Sequence, residues 1–184
     1  TGEGGLTIPE PAEPAEPEVP VPSPIISLPA GIEVGDLIKT ADIATVYLVT
    51  AEGKRRPFPN ETVWFSYYTD FGDIKIISEE IISQIPLGNN VTLRAGTYLM
   101  KIPSDAKVYA VEPSTVIRWL PSQEIAAGLY GPDWRSRVID MPEVFFADYI
   151  VKEDVIENIH PTGALIQYSG ASEIYYIDNG QQRL

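Results

Sequence analysis

The chain has no cysteine, one histidine and two methionines. Without thiols there are no disulfides, no thiol nucleophile and no Cys-type zinc site. His160 is left without a second imidazole for a metal or the partners of a catalytic triad. The lack of cysteine fits a reducing interior, or equally an exported protein of a microbe that does not depend on disulfides. Basic residues are also scarce, 13 Lys and Arg against 26 Asp and Glu, for a formal net charge of −13. No Lys/Arg stripe stands out, which speaks against nucleic acid as a partner. Long apolar runs are missing too: nothing approaches the roughly 18 residues of a membrane-spanning helix, and no basic-then-apolar leader is present. A first residue of Thr rather than Met points to a processed or excised product. No Gly-rich phosphate loop follows a strand.

What the chain does contain is an internal repeat. Leu37-Ile38-Lys39 leads after eight residues to Tyr47, Leu99-Met100-Lys101 leads after eight to Tyr109, and Leu165-Ile166-Gln167 leads after eight to Tyr175. The first two copies stay in step for twelve residues more, from Tyr47 to Pro59 and from Tyr109 to Pro121. The third stops at Leu184, after its hairpin. A repeat unit usually buries its apolar face against a neighbour, so the partial unit is expected to present a face that something else covers.

Residues 1–34 differ from all that follows, with eight of the 17 prolines, six Glu and no Lys or Arg. Proline removes backbone donors and biases its predecessor towards extended conformations, so residues 9–18 are expected to form a polyproline II spacer. Val19, Val21, Ile25, Ile26, Leu28 and Ile32 follow it, broken by further prolines. That pattern excludes a central strand but permits an edge strand or a segment docked in an apolar groove.

Within each unit the order predicted is β-hairpin, short helix, strand, short helix. Strands are expected at residues 37–39, 45–49 and 55–58, with Ala51-Glu52-Gly53-Lys54 as the turn; Asp178-Asn179-Gly180 is a stronger turn signal in the third copy. Asn60 and Ser122 stand as N-caps of helices over 61–68 and 123–130. A strand over 74–77 or 137–139 then precedes a second helix, 79–84 or 141–147. Ser78 and Asp140 stand as its caps, with Asp140 and Glu143 spaced as a capping box. The fold class is therefore α+β. The expected organisation is an extended arm (1–34), two full units (35–95 and 96–162) and a partial unit (163–184).

Leu37-Ile38-Lys39, Val46 to Val49, Gly53-Lys54-Arg55-Arg56-Pro57-Phe58-Pro59 and Ile77-Ser78-Glu79-Glu80 together resemble a tandem repeat of secreted and cell-surface bacterial proteins. That resemblance implies a surface-exposed structural module without catalytic residues. The second copy departs from the pattern at its turn, Glu112-Pro113-Ser114-Thr115.

Glu79, Glu80, Asp140 and Glu143 could be taken for a glycosidase carboxylate pair, but their places at helix starts suit capping and dipole complementation. No enzyme, cofactor or metal is expected. The leading expectation is a structural subunit of an extracellular filament or surface layer whose partner is itself. In this reading residues 174–184, carrying Ile174 and Tyr176, are covered by a segment from within 19–34, a neighbour's in preference to its own. The alternative is a cell-wall or glycan-binding module on a Pro-rich linker, with Trp64 and Trp119 stacking on sugar. Asn60-Glu61-Thr62 and Asn90-Val91-Thr92 match the N-glycosylation acceptor pattern.

Overall fold

The computed structural model describes residues 27–96, 98–155 and 159–184. Val19, Val21, Ile25 and Ile26, like the spacer before them, lie outside this range.

Alternating apolar residues and tight turns build three antiparallel hairpins in chain order. The first comprises β1 (Leu37–Lys39), β2 (Tyr47–Val49) and β3 (Arg55–Pro57). Helix α1 (Glu61–Phe65), strand β4 (Ile74–Ile76) and helix α2 (Glu79–Ser83) follow. β4 returns parallel to β1, so the sheet order is β3-β2-β1-β4. The second set comprises β5 (Leu99–Lys101), β6 (Tyr109–Val111), β7 (Val116–Trp119), α3 (Gln123–Tyr130), a 3-10 turn (Trp134–Arg137), β8 (Val138–Asp140), a second 3-10 segment (Glu143–Asp148) and β9 (Ile150–Lys152). Its order, β8-β5-β6-β7-β9, matches that of the first sheet with one strand added beside β7. The third sheet holds β10 (Leu165–Gln167), β11 (Ile174–Asp178) and β12 (Gln181–Arg183). The architecture is α+β, with mixed sheets and few, short helices.

Registers agree across the sheets. Ile38 pairs with Tyr47, Met100 with Tyr109 and Ile166 with Tyr175. The turns use different chemistry for the same closure. Gly53 takes φ 66, Asn179 and Gly180 take 48 and 74, and Ser114 and Thr115 accept 59 and 63 without the benefit of glycine.

The two larger sheets turn opposite faces to their shared core. Leu37, Val46, Phe58, Val63 and Trp64 from the first meet Met100, Tyr109, Val111, Ile117, Met141 and Tyr149 from the second, with Val91 and Leu93 of the connection between them. Leu37 thus points inward in the first sheet, whereas its counterpart Leu99 points outward in the second, into a cluster with Ala110, Leu120, Ala126, Trp134 and Val155. The sheets are stacked head to tail, and the core crosses the expected boundary at residue 95. The outer face of the first sheet, Ile38 and Val49, is covered by Ile85, Ile32 and, more loosely, Leu28.

Asn60, Ser78 and Ser122 cap their helices as expected, accepting from the N–H of Val63, Ile81 and Ile125. α1 is shorter than expected: Ser66 turns its hydroxyl back onto the Val63 carbonyl, and the helix ends at Phe65. Residues 141–147 do not form an α-helix and Asp140 caps nothing, which corrects the expected capping box. Pro142 sits at φ −55, ψ 135, outside helical space, and Asp140 belongs to β8, where it pairs with Lys101 at 2.9 Å.

Candidate assembly surface

The third sheet is held to the second by small groups. Gly96 and Gly163 meet backbone to backbone: a Cβ on Gly96 would fall 1.8 Å from the Gly163 carbonyl oxygen. The Thr162 N–H donates to a Glu112 carboxylate oxygen at 3.1 Å, and the Asn179 N–H donates to the Thr162 hydroxyl. Ala164 and Ile177 are buried beside this junction.

The opposite face of the hairpin is open. Leu165 is 65% exposed, Ile174 56% and Tyr176 40%. Their register counterparts are Leu37, Val46 and Leu48 in the first sheet and Leu99, Val108 and Ala110 in the second; Leu48 and Val108 are partly buried and the other four are buried. Leu165 and Ile174 thus leave one face of the three-stranded sheet apolar and open to solvent. Beside it lies a cavity of about 620 Å³ lined by Tyr67, Arg94, Arg137, Gly163, Leu165 and Tyr176.

Of the residues expected to dock on a neighbour, Leu28 and Ile32 instead pack on their own first sheet, with Ile32 8% exposed. They do not cover the hairpin of their own chain. Ile174 and Tyr176 lie together on its open face.

The two aromatic residues of the glycan-binding alternative lie in different surroundings. Trp64 is 2% exposed, its rings packed by Phe58, Tyr68 and Phe71 at centroid distances of 4.9, 4.6 and 5.1 Å, with its indole N–H on the Asp70 carbonyl at 3.0 Å. It has no face free to stack on a sugar ring, which corrects its expected role. Trp119 is half-buried against the shared core, with the Lys107 ammonium 5.0 Å from its ring centroid.

His160 is half-buried, its pKa lowered by burial, and its Nδ1 has no hydrogen-bond partner among the described residues. Among the described residues no three potential metal ligands gather, and no helix is long and apolar enough to cross a membrane. Glu79 and Glu80 are exposed at the start of α2. Both Asn side chains of the glycosylation-type tripeptides are engaged: Asn60 caps α1 and Asn90 donates to Asp148 at 2.9 Å. Burial raises the pKa of Tyr149, to about 12, and its hydroxyl accepts the Leu93 N–H at 3.0 Å.

Sequence reasoning missed β9. The signal was present in Arg56, Arg118 and Arg183, which share one register on the third strand of each hairpin. Comparison of the chain with protein-family models, curated proteins and solved structures finds no match. The likeness to cell-surface repeats therefore rests on the quoted motifs alone.

Proposed function

We propose that the chain is a structural subunit of an extracellular filament or surface layer, made of tandem hairpin units that continue from one molecule to the next. The carrying observation is the bare Leu165, Ile174 and Tyr176 face of the third sheet, set against its covered counterparts in the first two. Head-to-tail stacking inside the molecule supports the reading, because a heterologous contact repeated between copies generates rings or open polymers. The N-terminal segment is the part that reaches the neighbour. A glycan-binding role is less favoured, since Trp64 is sealed in the core.

Sedimentation and electron microscopy at neutral pH test the reading, comparing the full chain with one lacking residues 1–26. That truncation keeps Leu28 and Ile32, which the first sheet needs. Large species from the full chain and weakened association of the truncation, which keeps residues 27–30, are expected. Monomers from both would refute it.

A further inference from the structure

Each larger sheet closes its open side in the same way. Residues 86–91, leaving the first sheet, run parallel beside β3: the Arg55 N–H donates to the Pro86 carbonyl at 2.8 Å, Gly88 N–H to the Arg55 carbonyl at 2.9 Å and Val91 N–H to the Pro57 carbonyl at 2.9 Å. In the second sheet β9 runs parallel beside β7, and the Val155 N–H donates to the Trp119 carbonyl at 2.9 Å. An arginine on the inner strand holds the added segment. Arg56 donates from Nε to the Asn89 carbonyl at 3.0 Å and from a terminal nitrogen to the Asn90 carbonyl. Arg118 anchors its Nε on Glu112 at 2.8 Å and reaches the Glu153 carbonyl at 3.2 Å.

The third sheet has the same parts and no added strand among the described residues. Arg183 anchors its Nε on Asp178 at 2.8 Å, and Asp178 stands three residues after Tyr175 as Glu112 stands three after Tyr109. The terminal nitrogens of Arg183 meet no carbonyl among the described residues, and its side chain is 61% exposed against 30% for Arg118. Gln182 opposes Ile177 as Arg55 opposes Val49. In an antiparallel pair the alternation then directs the N–H and C=O of Gln182 outward, as at Arg55.

We propose that this edge accepts, in parallel, residues 25–30 of a second copy, as β3 accepts residues 86–91. The inference rests on the assembly reading above and names its contact. Spacing matches that of the first sheet, where residues 86–91 precede Gly96 by ten to five positions as residues 25–30 precede Gly35; in the second sheet residues 150–155 precede Gly163 by thirteen to eight. The added segment donates from Gly88 and Val91, and the matching residues, Ser27 and Ala30, both carry an N–H. Pro29 falls at the position of Asn90, whose N–H the pairing does not use. A proline-broken segment can therefore serve this edge although it could not serve as a central strand. Ile32 matches Leu93, and both are buried. The donor is another copy because Leu28 and Ile32 tie the segment to the outer face of the first sheet, on the side away from the second and third.

The absence of cysteine makes a register test direct. Full-length Ile26→Cys and Gln182→Cys, which occupy the positions of the Leu87–Arg55 pair, are mixed under mild oxidation. A covalent dimer of the two variants is expected, whereas Val21→Cys mixed with Gln182→Cys gives none. In parallel, Gln182→Pro removes the outward N–H while leaving the hairpin's own bonds, and is expected to weaken association about tenfold, the effect of roughly 1.4 kcal/mol. Circular dichroism of the unassembled variant checks that the fold is intact. Assembly of the wild type without the specific cross-link, or with unchanged association of a folded Gln182→Pro, overturns this contact and leaves self-assembly standing. A wild type that stays monomeric overturns both.

Discussion

Replacing Gly96 with Ala tests the junction on which the third sheet depends. Gly96 sits at φ 70, and the new methyl would lie 1.8 Å from the Gly163 carbonyl oxygen, 2.3 Å from its carbon and 2.7 Å from the Ala164 nitrogen. All three atoms are backbone, so no side chain can swing away, and the two segments must part by an ångström or more. Gly35 holds the same register in the first sheet, at φ 92, with nothing within 4 Å of an added Cβ. Gly35→Ala therefore measures backbone strain alone, about 1–2 kcal/mol for a left-handed alanine. Gly96→Ala carries the same strain plus the overpacking term, about 1–3 kcal/mol more. Urea unfolding followed by tryptophan fluorescence gives the two losses, and hydrogen exchange at Ile174–Asp178 shows whether the third hairpin has loosened. Equal destabilisation by the two variants, with unchanged exchange in β11, would refute the close backbone contact.

Trp64→Ala opens a cavity beneath Phe58, Tyr68 and Phe71 and is expected to cost about 3–5 kcal/mol in urea unfolding. Ser122→Ala removes the α3 cap and should cost about 1 kcal/mol by the same measurement. Thr115→Gly relieves a β-branched residue at φ 63 and is expected to raise stability by about 0.5–1 kcal/mol. Stability should fall above pH 10. The pKa of Tyr149 is raised to about 12 by burial, so the unfolded chain loses this proton first, and the slope from this one group reaches at most about 1.4 kcal/mol per pH unit until about pH 12. Tyr67, Tyr68, Tyr109 and Tyr130 are shifted the same way by burial, so Tyr149→Phe should flatten the alkaline slope in part; an unchanged slope would contradict the assignment.

The hairpins were legible in the residues because their causes are local. Tyr47, Tyr109 and Tyr175 hold matching places since the eight-residue spacing from the preceding strand sets each pairing before any distant contact forms. Asn60, Ser78 and Ser122 cap helices for an equally local reason, a side-chain oxygen within reach of an N–H three residues on. Asp140 had the same spacing and failed, because Lys101 and the β8 ladder hold it in a strand. The destiny of each sheet face was not legible. Leu37 and Ile38 are both apolar, as are Leu99 and Met100, so the pattern does not say which side meets the next sheet; only the head-to-tail stacking puts Leu37 inward and Leu99 outward. The same holds for Trp64, which the sequence left between core packing and a sugar platform until Phe58, Tyr68 and Phe71 closed on it, and for β9, whose place beside β7 depends on a pairing more than thirty residues away in the chain. Short-range geometry wrote the units, and the contacts between units, which no spacing encodes, decided which of their surfaces are core and which stay exposed.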